Sequence, residues 1–73
     1  MASEYVIENG AESGCYLYKV EGAGDDRTCF YRPQIEDAKI FNKKAEAVAF
    51  AKRWHAAVWL VKHGLPKKQV WPV

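Results

Sequence analysis

From Lys43 to His63 the chain contains neither glycine nor proline, with Asn42 before this stretch and Gly64-Leu65-Pro66 after it. No other feature constrains the fold as much. A helix over the whole stretch would be roughly 30 Å long, about the diameter of a small domain. Ala47, Phe50, Ala51, Trp54, Val58 and Val61 recur at i, i+3 and i+4 steps and define one apolar stripe. Asn42 stands where a side-chain oxygen can accept a hydrogen bond from a first-turn N–H. Gly64 suits the left-handed position after a helix, Leu65 can close the cap, and Pro66 forbids continuation. The pattern predicts one long helix over residues 43–63.

The first half of the chain has period-two character. Glu4-Tyr5-Val6-Ile7-Glu8 is a β-branched and aromatic segment ended by the turn dipeptide Asn9-Gly10. Residues 15–21 and 27–32 read as two more strands, joined by the turn Gly22-Ala23-Gly24-Asp25-Asp26 and stopped by Pro33. Strict alternation places Tyr16, Tyr18 and Val20 with Thr28 and Phe30 on one face of this hairpin. The other face takes Cys15, Leu17 and Lys19 with Cys29 and Tyr31. Tyr18, Val20 and Phe30 offer the larger apolar area and are expected to point inward. Ala38-Lys39-Ile40-Phe41 reads as a brief strand or extended approach, and Val70-Trp71 as a last strand or a tail beside the helix. The expected fold is α+β: a small antiparallel sheet of three to four strands packed against one long helix in the C-terminal half, within a single domain over residues 1–73.

Size limits function. A chain of 73 residues buries only about 60% of the surface it exposes when unfolded, which leaves little material for a water-excluding pocket. No apolar run approaches the roughly 20 residues that cross a bilayer. The segment from Met1 to Tyr5 lacks the basic start and apolar stretch of a secretory signal. A cytoplasmic location is expected, with Cys15 and Cys29 as reduced thiols.

The residues that carry chemistry form no catalytic or metal-binding pattern. On one helix His55 and His63 would stand about 12 Å apart along the axis, too far to share an ion. Cys15 and Cys29 lack a paired C-x-x-C knuckle. Nothing resembles a Ser-His-Asp or Cys-His arrangement. Gly22-Ala23-Gly24 precedes two aspartates and a strand, where a phosphate cradle would open a helix beside a lysine. A non-enzymatic protein without cofactor or metal is expected.

Surfaces then remain as carriers of function. Residues 1–38 hold three cationic side chains against eight carboxylates, a balance of −5. Residues 39–73 hold eight against one, a balance of +7, and the whole chain sums to +2. Such segregation steers association. On the predicted helix Trp59 falls near Lys52, and Leu60 near Arg53, both away from the apolar stripe. Trp59 and Leu60 set among Lys43, Lys44, Lys52 and Arg53 would form an apolar anchor rimmed by charge, suited to a protein partner. The alternative is a nucleic-acid surface on the sheet, with Tyr16, Tyr18 and Phe30 as stacking platforms beside Arg32. The acidic half of the molecule argues against a polyanion.

The stretch from Asp37 to Ala51, DAKIFNKKAEAVAFA, runs from an extended piece through a capping residue into an alanine-rich amphipathic helix. In this pattern and in its length the chain resembles small host-takeover proteins of bacteriophages, including those that bind bacterial RNA polymerase and inhibit transcription. The resemblance covers about fifteen residues and carries no functional residue by match. It implies a monomer that acts by occupation in the host cytoplasm, docking on a host protein and blocking or displacing something there.

Overall fold

The computed structural model describes residues 3–72, with only the backbone at Asp25. Met1, Ala2 and Val73, which enter the reading of the two chain ends above, lie outside the described residues. The elements are β1 (Glu4–Glu8), β2 (Tyr16–Glu21), β3 (Thr28–Arg32), α1 (Lys44–Trp54), β4 (Ala57–Lys62) and β5 (Leu65–Trp71), with 3-10 turns at Gly24–Asp26 and Ile35–Asp37. The strands form one antiparallel sheet in the order β3-β2-β1-β4-β5, and α1 packs against β1 and β4. The α+β class stands, with five strands and a helix half as long as the pattern predicted.

The long helix is interrupted at His55. This residue adopts the left-handed conformation at φ 52°, and its N–H bonds the Ala51 carbonyl. Ala56 N–H reaches the same carbonyl at 3.0 Å, the 6→1 bond of a helix stop. Gly64 was expected to supply that stop. Instead, His63 at φ 55° and Gly64 at φ 73° are the two central residues of the β4–β5 hairpin, both left-handed as a type I′ turn requires. Val58 and Val61 therefore belong to a strand and lie on its opposite faces; their spacing of three fits a helical stripe, but the continuous apolar run from Ala57 to Val61 fits a strand buried on both faces equally well. β1 decides between them. It pairs with β2 only through Glu8↔Tyr16, whereas Glu4–Glu8 pairs with β4 along its whole length. Without β4 that strand would have almost no ladder. The expected cap at Asn42 also moves by one residue: Lys43 holds the cap position and contributes no side-chain bond.

A second departure lies in the hairpin. Leu17 faces Tyr31, but Lys19 faces Phe30, so β2 carries an extra residue in a bulge between Leu17 and Lys19. Alternation restarts one residue late. Leu17, Val20, Cys29 and Tyr31 point to the helix and join the core around Ile7, Ala47, Ala51, Ala56 and Val58. Of the three side chains expected inward only Val20 goes in. Tyr18 and Phe30 are turned to the opposite face, where their rings lie 6.2 Å apart.

The extended piece before the helix closes a gap in the sheet. Tyr5 and Phe41 exchange backbone bonds of 2.8 and 2.9 Å, and Lys39 N–H bonds the Leu17 carbonyl at 2.8 Å. Residues 39–41 thus bond β1 on one side and β2 on the other, where the two strands no longer reach each other.

Gly10 packs directly on the helix stop: a Cβ added there would collide with the His55 carbonyl oxygen, and relief would require backbone to move. We expect Gly10→Ala to destabilise the fold by about 1–3 kcal/mol, the usual cost of overpacking. Thermal denaturation should show the melting temperature falling by roughly 5–20 °C.

Candidate interaction surface

One layer of helix covers one face of the sheet. The register assigns the other face to Tyr16, Tyr18, Lys19, Phe30 and Arg32 on the hairpin, Glu4, Val6 and Glu8 on β1, and Ala57, Trp59 and Val61 on β4. Val6 and Val61 are buried yet stand outside the core cluster on the helix side, so this second face has an apolar floor of its own. Tyr16, Tyr18, Phe30 and Trp59 are half-buried over it. The Arg32 guanidinium lies 4.1 Å from the Tyr18 ring centroid, and the Lys19 ammonium 5.9 Å from that of Phe30. All four residues proposed from the sequence as an aromatic sheet surface are therefore brought together, with Lys19 and Trp59 added. The bulge leaves no mark in the sequence, and it is what brings Lys19 to this face in place of Val20.

The cations of this face are already neutralised. Lys19 pairs with Glu21 at 2.6 Å, and this carboxylate raises the lysine pKa, first by its hydrogen bond and then by its charge. Arg32 lies 3.7 Å from Asp37. Glu8 is a bridging group: one carboxylate oxygen accepts from Trp59 Nε1 at 3.0 Å and the other from Gly14 N–H at 2.8 Å. It ties the indole to the loop between β1 and β2. Residues 8 and 59 are far apart in sequence, and only the β1–β4 pairing makes them neighbours.

The helix-based patch does not form. Trp59 and Leu60 lie on β4, and as consecutive strand residues they point to opposite faces. Lys43 stands at the cap of α1 and Lys44 in its first turn, while Lys52 and Arg53 occupy the last turn. The Lys52 ammonium lies 4.9 Å from the Trp71 ring centroid, and Arg53 donates to the Gly24 carbonyl at 3.4 Å. The tail runs as β5 beside β4, pairing Trp59 with Gln69 and Val58 with Trp71. His55 is the helix stop, and His63 sits in a hairpin turn.

At the end of the sheet near His55 there is an open cleft of about 530 Å³, walled by Glu8, Ser13, Lys52, Gln69 and Trp71 among others. Glu8 already spends both oxygens on protein donors, and Lys52 lies against Trp71. Ser13 and His55 both line the cleft, and no hydrogen bond joins them among the described residues. Among the described residues no group of three or more His, Cys, Asp or Glu could hold a metal ion, and no helix is long and apolar enough to cross a membrane. Compared with protein-family models, curated proteins and solved structures, the chain matches none.

Both cysteines are free. Desolvation, followed by the Glu12 carboxylate, pushes the Cys15 thiol above its ordinary pKa. At Cys29 desolvation raises the value against the opposing charge of Arg27. A raised thiol pKa means less thiolate at neutral pH, so iodoacetamide should modify both residues more slowly than free cysteine at pH 8. The rate–pH midpoint should lie above the ordinary thiol value. Replacing Glu8 by Ala removes the acceptor of the part-buried Trp59 indole. We expect a loss of about 1–2 kcal/mol in denaturant unfolding, together with a shift in tryptophan emission.

Proposed function

We propose that the domain is a non-enzymatic protein-binding module whose recognition surface is the helix-free face of its sheet. The observation that carries this reading is the cluster of Tyr16, Tyr18, Phe30, Trp59 and Arg32, half-buried or exposed over an apolar floor that no second layer covers. Tyr, Trp and Arg are the residues that dominate binding energy at protein interfaces, because each combines a large flat contact area with a polar handle. Tyr18, in tilted contact with Phe30 and under the Arg32 guanidinium, is already held in place and loses little entropy when a partner docks.

The charge of the face favours a protein over a nucleic acid. A polyanion gains affinity when unpaired lysine and arginine neutralise its phosphates and its condensed counterions are released into solution. Here each cation has a carboxylate within 4 Å, and Glu4 and Glu8 stand on the same face. Phosphates would meet a neutral to acidic surface, while a protein of mixed charge would meet matching polar groups around an aromatic centre. The partner class implied by the resemblance to phage host-takeover proteins is a host protein such as the transcription machinery. Docking on it would act by occupying a surface another molecule needs.

Affinity capture from a bacterial lysate, read by mass spectrometry, tests this reading when run with variants. One defined polypeptide should be retained by the wild type and by Lys44→Ala. Tyr18→Ala and Arg32→Ala should each weaken its retention roughly 30-fold, as expected for hot-spot residues worth about 2 kcal/mol. Capture that survives both face variants but is lost with Lys44→Ala would move the surface to the helix. Retention of nucleic acid by this face at physiological salt would favour the stacking alternative.

A further inference from the structure

The lysines near β5 differ from the two cations of the aromatic face. β4 provides a ruler: Val58, Leu60 and Lys62 are alternate residues, share the helix-side face, and step along the strand by about 7 Å each. At the first step Trp71 pairs with Val58, and the Lys52 ammonium lies over its ring at 4.9 Å. At the second, Lys68 pairs with Leu60. At the third stands Lys62 itself, opposite Leu65. Lys67 lies between Pro66 and Lys68, where the β4–β5 register slips.

All four ammonium groups belong to exposed residues. Among the described residues the ion pairs are Lys19–Glu21 and Arg32–Asp37, and none of these four lysines takes part. The carboxylates that the β1–β4 register brings nearest, Glu4 opposite Val61 and Glu8 opposite Ala57, sit on odd-numbered β4 partners and so belong to the other face. Glu8 is engaged by two N–H donors. Leu65, 62% exposed, adds an apolar contact at the hairpin tip.

We propose that this edge is a second binding surface, formed by Lys52, Lys62, Lys67 and Lys68, which takes the phosphate backbone of a nucleic acid. Phosphate is favoured over an acidic protein by the side chains used. All four are lysines, which act on phosphate as point charges, whereas carboxylate recognition favours the planar fork of arginine. Pairing with another strand is disfavoured at the same edge by Pro66 and by two register shifts between β4 and β5. The surface is separate from the aromatic face and does not depend on it.

The test is fluorescence anisotropy with a fluorescein-labelled 20-nucleotide poly(dT). Four lysine–phosphate contacts give a log–log salt slope of about −3 on a single strand, so affinity should fall roughly 50-fold between 50 and 200 mM salt. The Lys62→Glu/Lys67→Glu/Lys68→Glu variant should lose more than about tenfold at 50 mM. A control carrying the same charge change elsewhere, Lys39→Glu/Lys43→Glu/Lys44→Glu, should lose much less. Should the edge variant fail to fold, the corresponding Lys→Gln set serves in its place. The Tyr18→Ala and Arg32→Ala variants should bind the oligonucleotide normally, which separates failure of this surface from failure of the aromatic one. The assignment is overturned by no binding at 50 mM salt, by equal losses in the two triple variants, by loss in the aromatic-face variants alone, or by poly-glutamate of equal charge competing as well as unlabelled oligonucleotide.

Discussion

The left-handed turn at His55, with Gly10 packed against its carbonyl, is the constraint on which the other features rest. A helix continuing past Trp54 would have carried Val58, Trp59 and Val61 around a cylinder and left β1 with one paired residue on either side of a gap. Stopping there lets the chain reverse and lay β4 beside β1 in register from Glu4 to Glu8. The same reversal places Trp59 next to Glu8, fixes the β1–β2 loop through Gly14, and brings β5 up to cover the end of the helix with Trp71. A sheet face of aromatic character and a row of lysines both follow from where one residue changes the sign of its φ angle.

How much of this was legible in the sequence depends on the range of the interaction. β1, the β2–β3 hairpin, the turn at Gly22-Ala23-Gly24 and the extended approach to Phe41 are written in local chemistry, and they form as read. The first half of the helix is legible for the same reason. Its second half is not, because Val58 and Val61 fit the helical stripe while the apolar run around them is also a strand buried on both faces, and the choice is made by β1, some fifty residues earlier. The stop itself is obscured, since histidine is a poorer candidate for a left-handed residue than Gly64, which follows nine residues later. The residue types of the aromatic surface could be named from sequence, and strict alternation groups Tyr16, Tyr18 and Phe30 on one face; which face meets the helix could not be read, because both carry apolar groups, and the bulge then exchanges Lys19 and Val20.

The charge asymmetry of the chain becomes a geometric property of the sheet. Residues 1–38 supply β3, β2 and β1 on one side, while residues 39–73 supply β4, β5 and the helix. The strand order keeps the two sets apart instead of interleaving them. Cations within the acidic half find carboxylates at once, as Lys19 and Arg32 do, and among the described residues the lysines at the far edge find none. One small fold can in this way offer two surfaces of different character: a self-neutralised face suited to a protein, and an edge whose charge is left for an external counterion. Under the two proposals above, such a module would hold a protein close to a nucleic acid.

The bulge in β2 has a consequence for how the chain can vary. Upstream of it Leu17 is dry and Tyr16 wet. Downstream, Val20 is dry and Lys19 wet, although strict alternation from Leu17 would assign these two the other way round. Tyr18 and Lys19 both face outward opposite Phe30, so losing either one would leave a regular strand with Leu17 and Val20 still dry. The bulge is therefore the place where β2 can shorten by one residue without turning itself inside out, and a family sharing this architecture would show its single-residue gaps in β2 there.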